Sequence, residues 1–237
     1  MTAIALSLEE DLIYITGDTH GDIERFQTKL CKKLTAADLV IVCGDFGFLW
    51  KGGDKERKLL KALAKKKFRI AFIDGAHENF ERLNTYPEEQ WNGGLVHRIA
   101  PNVFHLMRGQ YYTIDGITFF TMGGGEVEQA DSDGENAWTG GSLPERGELV
   151  LGAANMDMHG GKVDVILSHE PSSKIKSILS DQDYLGTMSR INALNAFLEK
   201  LTLNTEYKKW FFGSFHIDKR ITAKITAVYT QIIPLEL

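Results

Sequence analysis

The chain opens by alternating short apolar runs with segments whose apolar residues recur at helical spacing. Leu12 to Thr16 is a β-branched run that ends at Gly17-Asp18, and the next segment puts Ile23, Phe26 and Leu30 on one helical face. Leu39 to Cys43 ends at Gly44-Asp45, and a helix near Lys55 to Lys66 turns Leu59, Leu60 and Leu63 inward. Phe68 to Ile73 ends at Asp74-Gly75. Strand, helix, strand, helix, strand predicts a parallel sheet covered on its faces, hence an α/β fold. Each strand stops at a glycine within a residue or so of an aspartate. Ligands of open α/β sheets collect beyond the carboxyl ends of strands, so this regularity points to a site.

The second half has a different rhythm. Val96 to Ile99 and Val103 to Met107 read as short strands, and Gln110 to Ile114 and Ile117 to Met122 flank Asp115-Gly116, a hairpin signal. The glycine- and acid-rich stretch from Gly123 to Gly141 reads as a long functional loop or lid. A helix is expected to begin near Leu143-Pro144-Glu145. Val163 to Leu167 is a strand ending in Ser168-His169-Glu170-Pro171, and Ile191 to Leu201 is an amphipathic helix. Trp210-Phe211-Phe212 ends in Gly213-Ser214-Phe215-His216, and Ile221 to Leu235 alternates as antiparallel strands. Without internal repeats or a low-complexity linker, the 237 residues read as one compact two-sheet domain.

Composition narrows the partners. The net charge is −5 with no sustained basic stripe, which argues against a nucleic-acid surface. Lys65-Lys66-Lys67 reads as the solvated last turn of a helix, where cations suit the dipole. The two cysteines, Cys31 and Cys43, sit in helical and strand patterns and read as small buried hydrophobes, not as a disulfide or zinc framework. Glu9, Glu10 and Asp11 do not suit a signal peptide, and no apolar stretch is long enough to span a bilayer. A soluble, cytoplasmic protein without a membrane partner is expected; oligomeric state leaves no mark on the sequence.

Five segments end an apolar run in acid or imidazole groups: Asp18-Thr19-His20, Gly44-Asp45, Gly75-Ala76-His77-Glu78, Ser168-His169 and Gly213-Ser214-Phe215-His216. Mixed carboxylates and imidazoles suit manganese, iron or zinc, whereas calcium and magnesium sites rarely use several histidines. Residues two apart, such as Asp18 and His20, can point the same way from an extended segment. Taken singly, a Gly-Asp after a strand is more often a turn, and His97, His105 and His159 read as ordinary core or surface residues. The order of the five blocks is what carries weight.

In that order the chain resembles the calcineurin-like metallophosphoesterase superfamily, whose blocks run Asp-x-His, Gly-Asp, Gly-Asn-His-Glu, His and Gly-His-x-His. The likeness runs from Asp18 to His216 and is closest to small bacterial members in Ile73-Asp74-Gly75, His77 to Phe80 and His105 to Gln110. It implies an α/β/β/α sandwich of two facing mixed sheets with outer helices. It further implies that Asp18, His20 and His216 hold a first divalent metal, that Asp45 is shared by two ions, and that His169 binds the second. His77 would then face substrate as general acid or phosphate-positioning group, and a phosphomonoester or phosphodiester would be hydrolysed by metal-activated water.

Two departures fall on the second ion. Ala76 stands where the family has asparagine, and Ser214 where it has the first histidine of the last block. A methyl cannot coordinate and a neutral hydroxyl is a poor substitute for imidazole, so the second ion, most naturally manganese like the first, is expected to be weak or absent. Reduced turnover follows, or alternatively an inactive binding or scaffold protein on the same fold. The acidic run Glu126, Glu128, Asp131, Asp133 and Glu135 also departs from the basic residues of similar members.

Overall fold

The computed structural model describes residues 12–127, 140–181 and 190–237. Residues 128–139, and with them most of the expected acidic lid, lie outside the described residues.

The predicted parallel core is present. Strands β1 (Ile13–Thr16), β2 (Leu39–Cys43), β3 (Arg69–Ile73) and β6 (Val103–Leu106) run parallel in that spatial order. β5 (Gly94–Ala100) and β4 (Glu88–Trp91) add antiparallel strands beyond β6, and β13 (Ile233–Pro234) pairs antiparallel with β1. A second sheet has the order β11 (Lys219–Arg220), β12 (Ile225–Ala227), β10 (Glu206–Phe212), β9 (Lys162–Ser168), β8 (Ile117–Met122) and β7 (Tyr111–Ile114). β8, β9, β10 and β12 are mutually parallel, so the tail is not wholly antiparallel as its alternation suggests. Alternation reports which face a residue takes, not the direction of the neighbouring strand.

The two sheets face one another across a shared core. Leu39, Ile41 and Cys43 of β2 and Ile73 of β3 meet Phe119, Val165, Leu167 and Phe211 of the second sheet. Val40 and Val42 point the other way, toward Phe26, Leu63 and Phe68. All five residues of β2 are buried because both its faces are covered, which is why the run reads as continuously apolar. Behind the second sheet, Phe120, Ile166, Trp210 and Phe212 pack against Met156, Leu179, Leu194 and Leu198. These belong to helices α3 (Arg146–Met158), α4 (Ser173–Asp181) and α5 (Ala193–Asn204). Helices α1 (Gly53–Ala64) and α2 (Phe80–Leu83) accompany the first sheet. The architecture is an α/β/β/α sandwich of two mixed sheets.

Some elements depart from the sequence expectation. The helix expected after β1 is only a 3-10 turn, Ile23–Gln27. Asp22 caps the start by accepting the Glu24 amide, but Thr28 leaves helical backbone and its Oγ1 accepts the Cys31 amide, a donor a longer helix would need. Strand β4 was not legible, because an edge strand reading Glu-Glu-Gln-Trp has little apolar signal. Helix α4 was also missed; its buried apolar residues, Ile175 and Leu179, are few, and the lysine between them, Lys176, is buried too. At the β7–β8 hairpin, Asp115 (φ 50°) and Gly116 (φ 80°) adopt the left-handed turn their sequence calls for.

Candidate metal centre

Five parallel strands, three from one sheet and two from the other, end at one place. Asp18 follows β1, Asp45 follows β2, His77 follows β3, His169 follows β9 and His216 follows β10. His20 joins them because its amide donates to the Asp45 carbonyl at 2.8 Å. Residues some 200 positions apart in sequence therefore meet: His20 Nε2 lies 3.1 Å from His216 Nε2.

The donor atoms gather into two overlapping sets. Those of His20, Asp45 and His216 lie within 4.8 Å of one another, as do those of Asp18, Asp45 and His169. Asp45 is common to both. Asp18 sits between the sets, with Oδ1 3.4 Å from His169 Nδ1 and Oδ2 3.5 Å from His216 Nε2. His169 Nδ1 also lies 3.1 Å from the Cys43 carbonyl, which can only accept, so that nitrogen carries the proton and Nε2 faces Asp45 Oδ1 at 3.7 Å. His77 contacts Asp45 twice, through its amide to Oδ1 at 2.7 Å and its Nδ1 to Oδ2 at 2.9 Å.

The local backbone is bent to achieve this. Seven non-glycine residues among those described have positive φ; Asn92 and Asp115 are in turns, and the other five are Asp18, His20, Asp45, Ser214 and His216. Left-handed backbone at non-glycine residues is uncommon and concentrates at functional sites. Close approach accounts for two of the glycines. A Cβ on Gly44 would collide with the His169 ring, and one on Gly75 would collide with the Asp45 carboxylate and amide.

Electrostatics show what the pocket demands. Asp18 and Asp45 are 1% and 2% exposed, and both carboxylate oxygens of Asp18 are buried without a hydrogen-bond partner. Buried carboxylates so placed require cationic charge. Burial alone would raise the Asp45 carboxyl, yet His169 and His77 hold it well below the usual carboxylate range. Burial would lower His169, but the charges of Asp45 and Asp18 and the Cys43 carbonyl push it well above its ordinary value. Burial holds His20 below the ordinary histidine value. Unpartnered carboxylate oxygens and imidazole nitrogens converging on one point fit a divalent cation.

Other neighbours fix this arrangement; the sequence placed Glu78 in a strand-end block without a role and gave no sign of Tyr229. The buried Glu78 accepts the Phe46 amide at 2.7 Å and so pins the loop that carries Asp45; burial and the Asp45 charge push its carboxyl up. Tyr229 stacks on His216 at 4.7 Å. Asp74, whose place at a strand end made it look like a site residue, turns away from the cluster. It bonds His105 at 3.0 Å and Arg108 at 2.7 Å, and His105 in turn meets His97 at 3.0 Å. The three histidines read as ordinary include two, His97 and His105, that form this buried chain. His159 instead caps α3 and stacks on Tyr111 at 3.6 Å. The two departures lie beside the cluster: Ala76 is buried, close to Gly125 and the His169 ring, and Ser214 Oγ is buried without a hydrogen-bond partner.

Comparison with known proteins identifies the family. No curated protein matches the chain. Among solved structures, a serine/threonine phosphatase from Saccharomyces cerevisiae with similarity to human phosphatase PP5 is 16% identical. That match covers 94% of this chain and 68% of the phosphatase, with a TM-score of 0.37. A family model described as calcineurin-like phosphoesterase matches residues 12–217, which takes in all five strand-end blocks, and the chain belongs to that family.

Proposed function

We propose that this protein hydrolyses a phosphomonoester or phosphodiester with divalent metal held by Asp18, His20, Asp45, His169 and His216. One observation carries the reading above the others. Asp18 presents two buried carboxylate oxygens that lack a hydrogen-bond partner, 3.4 Å and 3.5 Å from the imidazoles of His169 and His216, an arrangement that a divalent cation would stabilise. When bound, the metal would supply Lewis-acid polarisation of a phosphoryl oxygen and lower the pKa of water.

The remaining roles belong to the chain's own groups. His77, at the mouth of the cluster, is the general acid or phosphate-positioning residue, and Asp45 orients its ring through Nδ1. Manganese is the favoured ion, with iron or zinc also suited to this carboxylate and imidazole set. Ala76 and Ser214 give the second position fewer ligands, so its ion is held weakly or not at all. Loss of outer-sphere support alone costs about 10–100-fold in metal affinity, and lost direct ligands cost at least as much. Among the described residues no helix is long and apolar enough to cross a membrane, and a cytoplasmic location fits the sequence.

The same two replacements favour one rival, a binding or scaffold protein that retains the fold. Titrating metal-stripped protein with manganese by calorimetry, alongside assays on aryl phosphates and aryl phosphodiesters, separates the two. Tight binding of at least one ion with metal-dependent hydrolysis is expected. Hydrolysis absent with manganese, iron and zinc alike would leave the scaffold standing.

A further inference from the structure

A cavity of about 690 Å³ opens directly from the metal cluster, a size suited to small-molecule ligands. His20, His77 and His216 form one end. The other is lined by Phe48, Trp50 and Leu59, with Lys51 and Lys55 also on its wall. It runs between the loop after β2 and the start of α1.

This wall is rigidly built. Glu56, 6% exposed, accepts the amides of Trp50 and Gly52, each at 2.8 Å, and is itself held by Arg82 at 2.6 Å. Asn79 donates to the Trp50 carbonyl. Phe48 is anchored below by Phe46 at 4.7 Å and Phe26 at 6.0 Å. The backbone of Trp50 is thus clamped at both its amide and its carbonyl, while its side chain stays half-buried on the cavity wall. Among the described residues the half-buried indole stacks on no other ring and its Nε1 has no hydrogen-bond partner. Indole rings left partly open but held in place are suited to receiving a flat apolar group. The ammonium groups of Lys51 and Lys55 are exposed and likewise have no ion-pair partner among the described residues. Two free cations beside an apolar floor call for a ligand carrying negative charge of its own, beyond the phosphoryl group at the metal end.

Resting on the phosphoesterase reading, we propose that this cavity is the leaving-group subsite. It selects phosphoesters whose leaving group bears a planar ring and a further anionic group, the chemistry of a nucleotide. Trp50 receives the ring, and Lys51 and Lys55 receive the second charge. Simple alkyl phosphates and phosphorylated serine or threonine side chains offer no ring to Trp50 and are disfavoured.

Binding of non-hydrolysable probes to the manganese-loaded protein, followed by calorimetry, tests the subsite without requiring turnover. Methylphosphonate has neither feature, benzylphosphonate adds a ring, and a methylene-bridged adenosine diphosphate analogue adds a ring and a second anionic group. Affinity is expected to rise in that order. Trp50→Ala should cut the advantage of benzylphosphonate over methylphosphonate by about tenfold, the scale of a lost ring stack, and Trp50→Phe should restore most of it. Lys51→Ala with Lys55→Ala should weaken the nucleotide analogue by about fivefold in low salt and by little in high salt. Equal affinity for all three probes overturns the proposal, as does a Trp50→Ala variant that weakens all three alike. Ordered binding with no hydrolysis of any ester would instead retain the subsite and remove the phosphoesterase reading.

Discussion

His77 and Asp45 meet twice, the histidine amide donating to one carboxylate oxygen at 2.7 Å and its ring Nδ1 lying 2.9 Å from the other. The same carboxylate belongs to both donor sets of the cluster. One side chain thus couples the orientation of the proposed acid to the capture of the cation, and removing either partner should have different consequences.

His77→Ala should leave manganese stoichiometry unchanged while lowering kcat by about 10²–10⁴-fold, the range for a positioned acid or base. Asp45→Asn should instead lose metal affinity by at least about 100-fold, since it removes negative charge shared by both sets. Calorimetry and steady-state kinetics on each variant measure the split; full activity in His77→Ala would refute its role.

Gly44→Ala and Gly75→Ala test whether the strand ends are shaped for the site. The added methyl groups would strike the His169 ring and the Asp45 carboxylate, and Gly44 has φ +97°. Both should bind manganese at least about tenfold more weakly, the lower bound for disturbed support of metal ligands. Wild-type affinity in either variant would show that those rings and carboxylates do not hold the ion.

Restoring the missing donors should raise metal stoichiometry. Ala76→Asn with Ser214→His is expected to add a second manganese per chain and to increase turnover by about tenfold or more. Ala76 lies beside Gly125, which also approaches the His169 ring, and Ser214 carries a buried hydroxyl without a hydrogen-bond partner. Metal content by elemental analysis after dialysis is the readout. An unchanged ratio would mean that other groups define the second position.

Away from the metal, His97 should govern part of the acid response. Burial, aided by neighbouring His105, lowers it from 6.5 to about 4 in the folded protein. Folding therefore favours the neutral ring: its contribution is complete above about pH 6.5 and is lost as pH falls toward 4, by up to about 1.4 kcal/mol per pH unit. Asp74, held below the usual carboxylate range by Arg108 and His105 against its burial, contributes its own loss only at lower pH. Urea midpoints across this window should fall more steeply in the wild type than in His97→Asn. Ring resonances of His97 titrating near 6.5 would contradict the assignment.

Much of the fold was written in local pattern. Leu39 to Cys43 could only be a strand covered on both faces, and Asp115-Gly116 could only turn a hairpin. What failed were elements whose signal is weak or contested locally. The segment after β1 had a helical apolar spacing, but Thr28 leaves helical backbone and its Oγ1 captures the Cys31 amide. The edge strand β4 carries almost no hydrophobic alternation.

By itself the sequence determined residue chemistry and period: which runs are strands, which carboxylates and imidazoles stand at their ends, and which two ligand types are replaced. Only the tertiary structure decided which of these ends point inward to one place. Asp18, Asp45 and Asp74 look alike as strand-end aspartates, yet the first two enter the cluster and the third pairs with Arg108. It also made a walled cavity of Trp50, Lys51 and Lys55, residues with no motif. The physical reason is range. Backbone preference acts over a few residues, whereas a pocket is formed by segments up to about 200 positions apart whose meeting depends on sheet order and on how the two sheets face each other.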